Sequence, residues 1–252
     1  MILTIDIGNT NIVLGCIDGD KTLFVERLST VRTKTELEYA IDIKNVLDIY
    51  RNEIEGGIIS SVVPQITTIV KLAVEKILKK NVLVVGAGIK TGLNIRIDNP
   101  AQLGSDLVVD SVAAIVEYPA PLLIFDLGTA NTVCVIDKNK NYIGGMIYPG
   151  IGVSLDSLTA HASQLGGISI EAPEHMIGKN TTECMKSGLI YSSAAAMDGI
   201  IDRLQEQLGG EATVIATGGL AKKIVPHCRR EIILDDDLLL KGLAIIYKKN
   251  RK

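Results

Sequence analysis

The chain has no closely spaced cysteines. Cys16, Cys134, Cys184 and Cys228 lie far apart, form no CxxC pair and share no ligand spacing with His161, His175 or His227, which argues against a zinc site. They read as reduced, partly buried thiols of a cytoplasmic protein. A basic surplus is missing too: 26 Lys+Arg face 29 Asp+Glu, a net charge of −3, with no basic stripe to neutralise a phosphate backbone. Nucleic acid is therefore not an expected partner. No apolar run approaches the roughly 18 residues needed to cross a bilayer. The opening Met1-Ile2-Leu3-Thr4-Ile5-Asp6 lacks a basic n-region and reaches an acid after five apolar or neutral residues, so neither membrane nor targeting segment is expected.

What is present is aliphatic and periodic. With 252 residues, 47% of them hydrophobic, the chain can bury one large core or two modest ones. The pattern reads strand, turn, strand, turn, strand over Ile2 to Ile5, Asn11 to Ile17 and Leu23 to Leu28, with Asp18-Gly19-Asp20 as hairpin signal. A helix follows at Glu36 to Tyr50, with Leu37, Ala40, Ile41, Ile43, Val46, Leu47 and Tyr50 on one apolar face. A strand at Gly57 to Ser61, a helix at Ile66 to Ile77, a strand at Val82 to Val85 and a helix from about Gly104 complete the first half.

The order then restarts. Strands are expected at Leu122 to Phe125, Asn131 to Ile136, Tyr142 to Ile147 and Thr213 to Ala216, with helices at Val153 to Gln164, Glu183 to Leu208 and Leu238 to Tyr247. Alternating strands and helices predict an α/β fold. Ile2 to Thr10 repeats in pattern as Leu122 to Ala130, and each copy ends at an Asp-led hairpin, Asp18 or Asp137. One supersecondary unit used twice predicts two domains, 1–116 and 117–252, with a binding cleft between them.

Each copy carries an apolar strand ending in Asp-x-Gly: Asp6-Ile7-Gly8-Asn9-Thr10 and Asp126-Leu127-Gly128-Thr129. Glycine lets backbone approach a phosphate, amides and Asn/Thr side chains donate to its oxygens, and the Asp sits where a cation or its waters can bridge. A single copy would read as an ordinary hairpin turn; two copies half a chain apart favour phosphate binding. Gly218-Gly219 follows a buried strand and is open to contact with a nucleotide base or ribose, or is a plain tight turn. In Gly104-Ser105-Asp106, Ser105 or Asp106 reads in isolation as a helix N-cap. A kinase needs one carboxylate to take the acceptor proton, and in that context Asp106 is the candidate base. Gly86 to Gly92 lacks GxGxxG spacing, and Gly178-Lys179-Asn180 lacks the rest of a P-loop. Asp235-Asp236-Asp237 reads as N-cap and dipole partner of the last helix.

Taken together these residues resemble the type III pantothenate kinases of the acetate and sugar kinase/Hsp70/actin superfamily. The resemblance spans the chain: Asp6 to Asn11, Ser60-Ser61-Val62-Val63-Pro64, Asn99-Pro100, Gly104-Ser105-Asp106, Asp126 to Ala130, Gly144 to Gly150, Asn180-Thr181, Thr217-Gly218-Gly219 and Leu240 to Leu243. It departs from the family pattern at Leu107, usually Arg, and at Ile97, usually Tyr.

The resemblance implies duplicated ribonuclease H-like (actin-like ATPase) domains with mixed sheets. It also implies phosphorylation of pantothenate by ATP, the opening step of coenzyme A synthesis. ATP would be held by Asp6, Ile7, Gly8, Asn9, Thr10, Asn11, Ile12, Val13 and Thr129, with Gly218 and Gly219 at the nucleotide. Mg²⁺ would be linked to Asp6 through water, and a monovalent cation, K⁺ or NH₄⁺, would lie near Asp126. The acceptor would meet Gly104, Ser105, Asp106, Leu107 and Thr181, with a homodimer completing its site. Three other readings stay open at this level: a kinase for a different hydroxyl acceptor, a non-catalytic nucleotide-binding regulator, and, most distantly, a ribonuclease H-type nuclease.

Overall fold

The computed structural model describes residues 1–50 and 53–251. Three antiparallel strands open the chain: β1 (Ile2–Ile7), β2 (Asn11–Asp18) and β3 (Lys21–Ser29). They form because every second residue is apolar on the inner face: Leu3, Ile5, Ile7, Ile12 and Leu14 are fully buried. Helix α1 (Glu36–Tyr50) starts on a reciprocal cap, the Thr35 amide donating to Glu38 Oε2 at 2.8 Å and the Glu38 amide to Thr35 Oγ1 at 3.4 Å. Its buried stripe is Tyr39, Ala40, Ile43 and Val46, whereas Leu37 and Ile41, expected on that stripe, are at least half exposed. β4 (Gly56–Ser61), α2 (Pro64–Leu78) and β5 (Val82–Val84) then add two parallel strands beside β1. Proline opens α2, where its missing N–H costs nothing, and Lys79 closes it in the left-handed conformation at φ 56°. The first sheet runs β3-β2-β1-β4-β5.

After the short β6 (Asn94–Ile95) and a 3₁₀ turn at Pro100–Gln102, α3 (Ser105–Glu117) leads into the second copy: β7 (Leu122–Leu127), β8 (Ala130–Ile136) and β9 (Asn141–Pro149), again antiparallel. α4 (Ile151–His161) ends three residues before the expected Gln164. The long α5 (Thr181–Leu208) begins where Asn180 Oδ1 accepts the Glu183 amide at 3.0 Å and ends on Gly209 at φ 75°. β10 (Thr213–Thr217), α6 (Ala221–Ile224), β11 (Ile233–Leu234) and α7 (Leu238–Asn250) finish the chain. The second sheet runs β11-β10-β7-β8-β9-β6, with β10 and β11 parallel to β7. Five of its strands thus repeat the order and directions of the first sheet. The residue-by-residue burial of Met1 to Thr10 recurs unchanged over Pro121 to Ala130.

Two compact units result, and their limits differ from a cut at 116/117. The first holds Met1–Leu93, Asp98–Glu117 and Asp237–Lys252; the second holds Asn94–Ile97 and Tyr118–Asp236. Helix α7, last in sequence, belongs with the first unit because it packs on α3 and on β1, β2 and β4. That packing depends on small residues: a Cβ on Gly242 would run into the Val109 carbonyl, and one on Gly15 would crowd Leu240. Asp237 stands at the N-cap position of α7 but makes no side-chain cap hydrogen bond. The Asp237 carboxylate takes the Thr22 hydroxyl and Lys241, at 3.1 Å from the latter, while buried Asp235 accepts the Tyr118 hydroxyl at 2.7 Å.

Candidate active site

In the first unit, Asp6 lies one residue before the end of β1, opposite Val13 on β2 and Ser60 on β4. The alternation that buries Ile5 and Ile7 against α1 and α2 puts Asp6 and Ser60 on the other face of the sheet. The turn after Asp6 is tied from within and from the side. The Gly8 amide donates to Asn11 O at 3.0 Å, Thr30 Oγ1 donates to Gly8 O at 2.7 Å, and the Thr30 amide donates to Thr10 O at 3.0 Å. The Gly8 amide is thus committed to the turn itself, and Asn9 and Thr10 form its exposed tip. Arg32 reaches the tip, its Nη2 3.4 Å from Asn9 Oδ1. Sequence reasoning missed Arg32, because its 23-residue separation from Asn9 is bridged only by the β2-β3 hairpin.

Ser60 and Ser61, at the end of β4, meet the start of α3. Ser105 Oγ is 3.1 Å from Ser60 Oγ, accepts the Ser61 amide at 3.1 Å and donates to Ser61 O at 3.0 Å. The Ser105 side chain is therefore turned to β4 rather than capping its own helix. Asp106 follows, its Oδ1 accepting the Leu107 amide at 2.9 Å. Burial pushes the Asp106 carboxyl above its ordinary range, only partly countered by the Leu107 amide and its own. A Cβ on Gly104 would meet Asp106 Oδ1 and push that carboxylate oxygen aside.

In the second unit, Asp126 occupies the place on β7 that Asp6 has on β1, beside Thr217 on β10. The turn that follows is one residue shorter. Ile7 pairs with Ile12 in the first copy, but Leu127 pairs with Asn131 in the second. Ala130 therefore matches Asn11 rather than Thr10, and Asn131 takes the core-facing place of Ile12. Asn131 is accordingly buried opposite Tyr148, whose hydroxyl is pushed up by burial, with the Asn131 carboxamide beside it acting the other way. Gly150 donates to Thr129 O at 3.1 Å and leaves no space for a Cβ against Gly128 O and Thr129 O. Gly218 sits at φ 92°, and a Cβ there would collide with Asp126 Oδ1 and the Leu127 backbone; Gly219 faces open space. Thr181 is the exposed first residue of α5. The structure thus joins Asp6, Ser60, Ser105 and Asp106 in one unit, and Asp126, Thr129, Thr217 and Gly218 in the other.

A model of the type III pantothenate kinases matches residues 2–203. The chain belongs to that family. Relatives named type III pantothenate kinase cover it end to end: that of an Exiguobacterium strain is 45% identical over 255 residues, covering 100% of both chains. The Brevibacillus brevis protein is 41% identical over 254 residues, covering 100% of both, and that of Bacillus cytotoxicus is 44% identical over 253 residues, covering 99% of this chain and 97% of its own. Among solved structures, the (R)-2-hydroxyglutaryl-CoA dehydratase component A of Acidaminococcus fermentans superposes with a TM-score of 0.57 at 15% identity, covering 100% of this chain and 99% of its own. The inorganic polyphosphate/ATP-glucomannokinase of Arthrobacter sp. strain KM gives 0.51 at 16% identity over 99% of both chains. At these identities the likeness is one of fold, the duplicated ribonuclease H-like fold of actin-like ATPases and sugar kinases. No helix among the described residues is long and apolar enough to cross a membrane.

Proposed function

We propose that this chain transfers the γ-phosphoryl group of ATP to the primary hydroxyl of pantothenate, giving 4'-phosphopantothenate and ADP, the first step of coenzyme A biosynthesis. The full-length identity to type III pantothenate kinases carries the reading. Asp106 takes the hydroxyl proton as the oxygen bonds to phosphorus and the bond to the bridging β–γ oxygen breaks. Its raised pKa suits it to hold that proton, and its bonds to first-turn amides fix the carboxylate's direction.

The turn of Asp6 to Val13 holds ATP phosphates with its Asn9 and Thr10 tip, Arg32 adding positive charge, and Thr129 does the same from the second copy. Gly218 and Gly219 offer bare backbone to the nucleoside, and Thr181 meets the acceptor. Asp6 and Asp126 present hard carboxylate oxygens, which suit Mg²⁺ through water at the former and K⁺ or NH₄⁺ at the latter. Among the described residues no three His, Cys, Asp or Glu gather into a metal cage, so Mg²⁺ would take its other ligands from phosphate and water. Mg²⁺ supplies neutralisation of phosphate charge when bound. The working form is a cytoplasmic homodimer.

The test is ADP release by the purified protein with ATP, Mg²⁺ and K⁺. Turnover that requires pantothenate and disappears in Asp106→Asn supports the reading; turnover indifferent to pantothenate sinks it. One observation favours a second acceptor: Leu107, beside the base, offers no cation to a carboxylate. Faster turnover on a neutral hydroxyl acceptor than on pantothenate would select that alternative.

A further inference from the structure

β4 pairs with β5 through Gly57–Val82, Ile58–Leu83 and Ile59–Val84, and the ladder closes with the Val85 amide donating to Ile59 O at 2.8 Å. In a parallel ladder the next rung would use the Ser61 amide and carbonyl. The chain has by then turned away into residues 86–92, and one side-chain atom supplies the rung instead: Ser105 Oγ accepts from the Ser61 amide at 3.1 Å and donates to its carbonyl at 3.0 Å. The same atom lies 3.1 Å from Ser60 Oγ, and Ser60 is the cross-strand neighbour of Asp6. A single hydroxyl thus pins the first turn of α3 to the strand end beside Asp6, one residue ahead of Asp106. Among the described residues the Asp106 carboxylate is held only by amides of that same first turn, so wherever the turn goes the carboxylate follows.

We propose that Ser105 is a positioning residue for phosphoryl transfer, its hydroxyl completing the β4 ladder and thereby setting the place of the Asp106 carboxylate relative to Asp6. This rests on Asp106 being the base. The role differs from contact with substrate, because every direction in which the hydroxyl bonds leads to β4.

The experiment compares Ser105→Ala, Ser105→Thr, Ser60→Ala and Asp106→Asn with the parent protein in steady-state kinetics and thermal melting. Displacement of a catalytic group costs rate rather than binding, so Ser105→Ala is expected to lose about tenfold to a hundredfold in kcat, with KM for ATP and pantothenate within about twofold. Ser105→Thr, which keeps the hydroxyl, recovers most of that loss, and Ser60→Ala, which spares both bonds to Ser61, costs less than Ser105→Ala. A Ser105→Ala enzyme with unchanged kcat overturns the proposal, as does a threonine variant that melts like the parent yet is as slow as the alanine one. A loss in Ser105→Ala carried by KM instead of kcat assigns Ser105 to substrate binding and also overturns it. Should Asp106→Asn remain active, the base assignment fails instead; an inactive Asp106→Asn beside a fully active Ser105→Ala refutes only the positioning role.

Discussion

Replacing Gly218 by alanine is expected to destabilise the second unit at the turn after β10. The glycine sits at φ 92°, outside the range L residues readily adopt, and a Cβ built on it would collide with Asp126 Oδ1 and with both the amide and carbonyl of Leu127. Holding a non-glycine residue in such a conformation costs about 1–3 kcal/mol. Forcing a methyl against backbone costs about 1–3 kcal/mol more. Leu127 cannot easily yield: it is fully buried, and its carbonyl already accepts the Leu220 amide at 3.1 Å. For a chain of this size a loss of 1 kcal/mol lowers Tm by about 2–4 °C. A total of about 2–6 kcal/mol therefore predicts a fall of about 4–24 °C, measured by calorimetry or dye-monitored melting. Gly219→Ala is the control: no atom lies within 4 Å of its Cβ and its φ is unremarkable for an L residue, so its Tm should stay within about 1–2 °C of the parent. Because Asp126 is the side chain displaced, Gly218→Ala should also weaken a fluorescent ATP analogue, and Gly219→Ala should do so less. Equal melting temperatures for the two variants would refute the argument from backbone conformation and close approach.

Other consequences are open to the same kind of check. Since burial raises the Asp106 pKa, its contribution to stability is greatest when protonated, below the unfolded value of about 3.9, and is lost as pH rises through the folded pKa. Asp106→Asn should thus raise Tm near pH 7 while abolishing turnover, with the gain vanishing at acid pH. The Tyr148 hydroxyl is buried with no hydrogen-bond partner among the described residues, so Tyr148→Phe, which removes it, should leave the midpoint of chemical denaturation unchanged or slightly raised. In thiol titration of the native protein near pH 8, exposed Cys184 should react first. Cys16 and Cys134 are buried, and the Cys228 thiol, pushed up to about 12 chiefly by burial, holds a negligible thiolate fraction.

Much of the fold is legible locally. The alternation of Leu3, Ile5 and Ile7, the Asp-x-Gly turns and the Asn180 cap each act within a few residues, where period and turn chemistry leave little choice. The duplication is legible for the same reason, since both copies bury the same positions of their first strand. What the chain could not disclose by itself is whatever depends on partners far away in sequence. Hairpin register decides that the second turn is one residue shorter and that Asn131 faces the core, because a shift of one residue exchanges the faces of a strand. Docking decides that α7 joins the first unit, through close approaches at Gly15 and Gly242 that are invisible until the surfaces meet. Ser105 reads as an N-cap in one dimension and proves to be a rung of the sheet in three, because only the folded chain ends the β5 ladder before Ser61 and brings a hydroxyl there. Sequence determined which residues can make each element and turn; tertiary structure decided which of their hydrogen-bonding groups find one another.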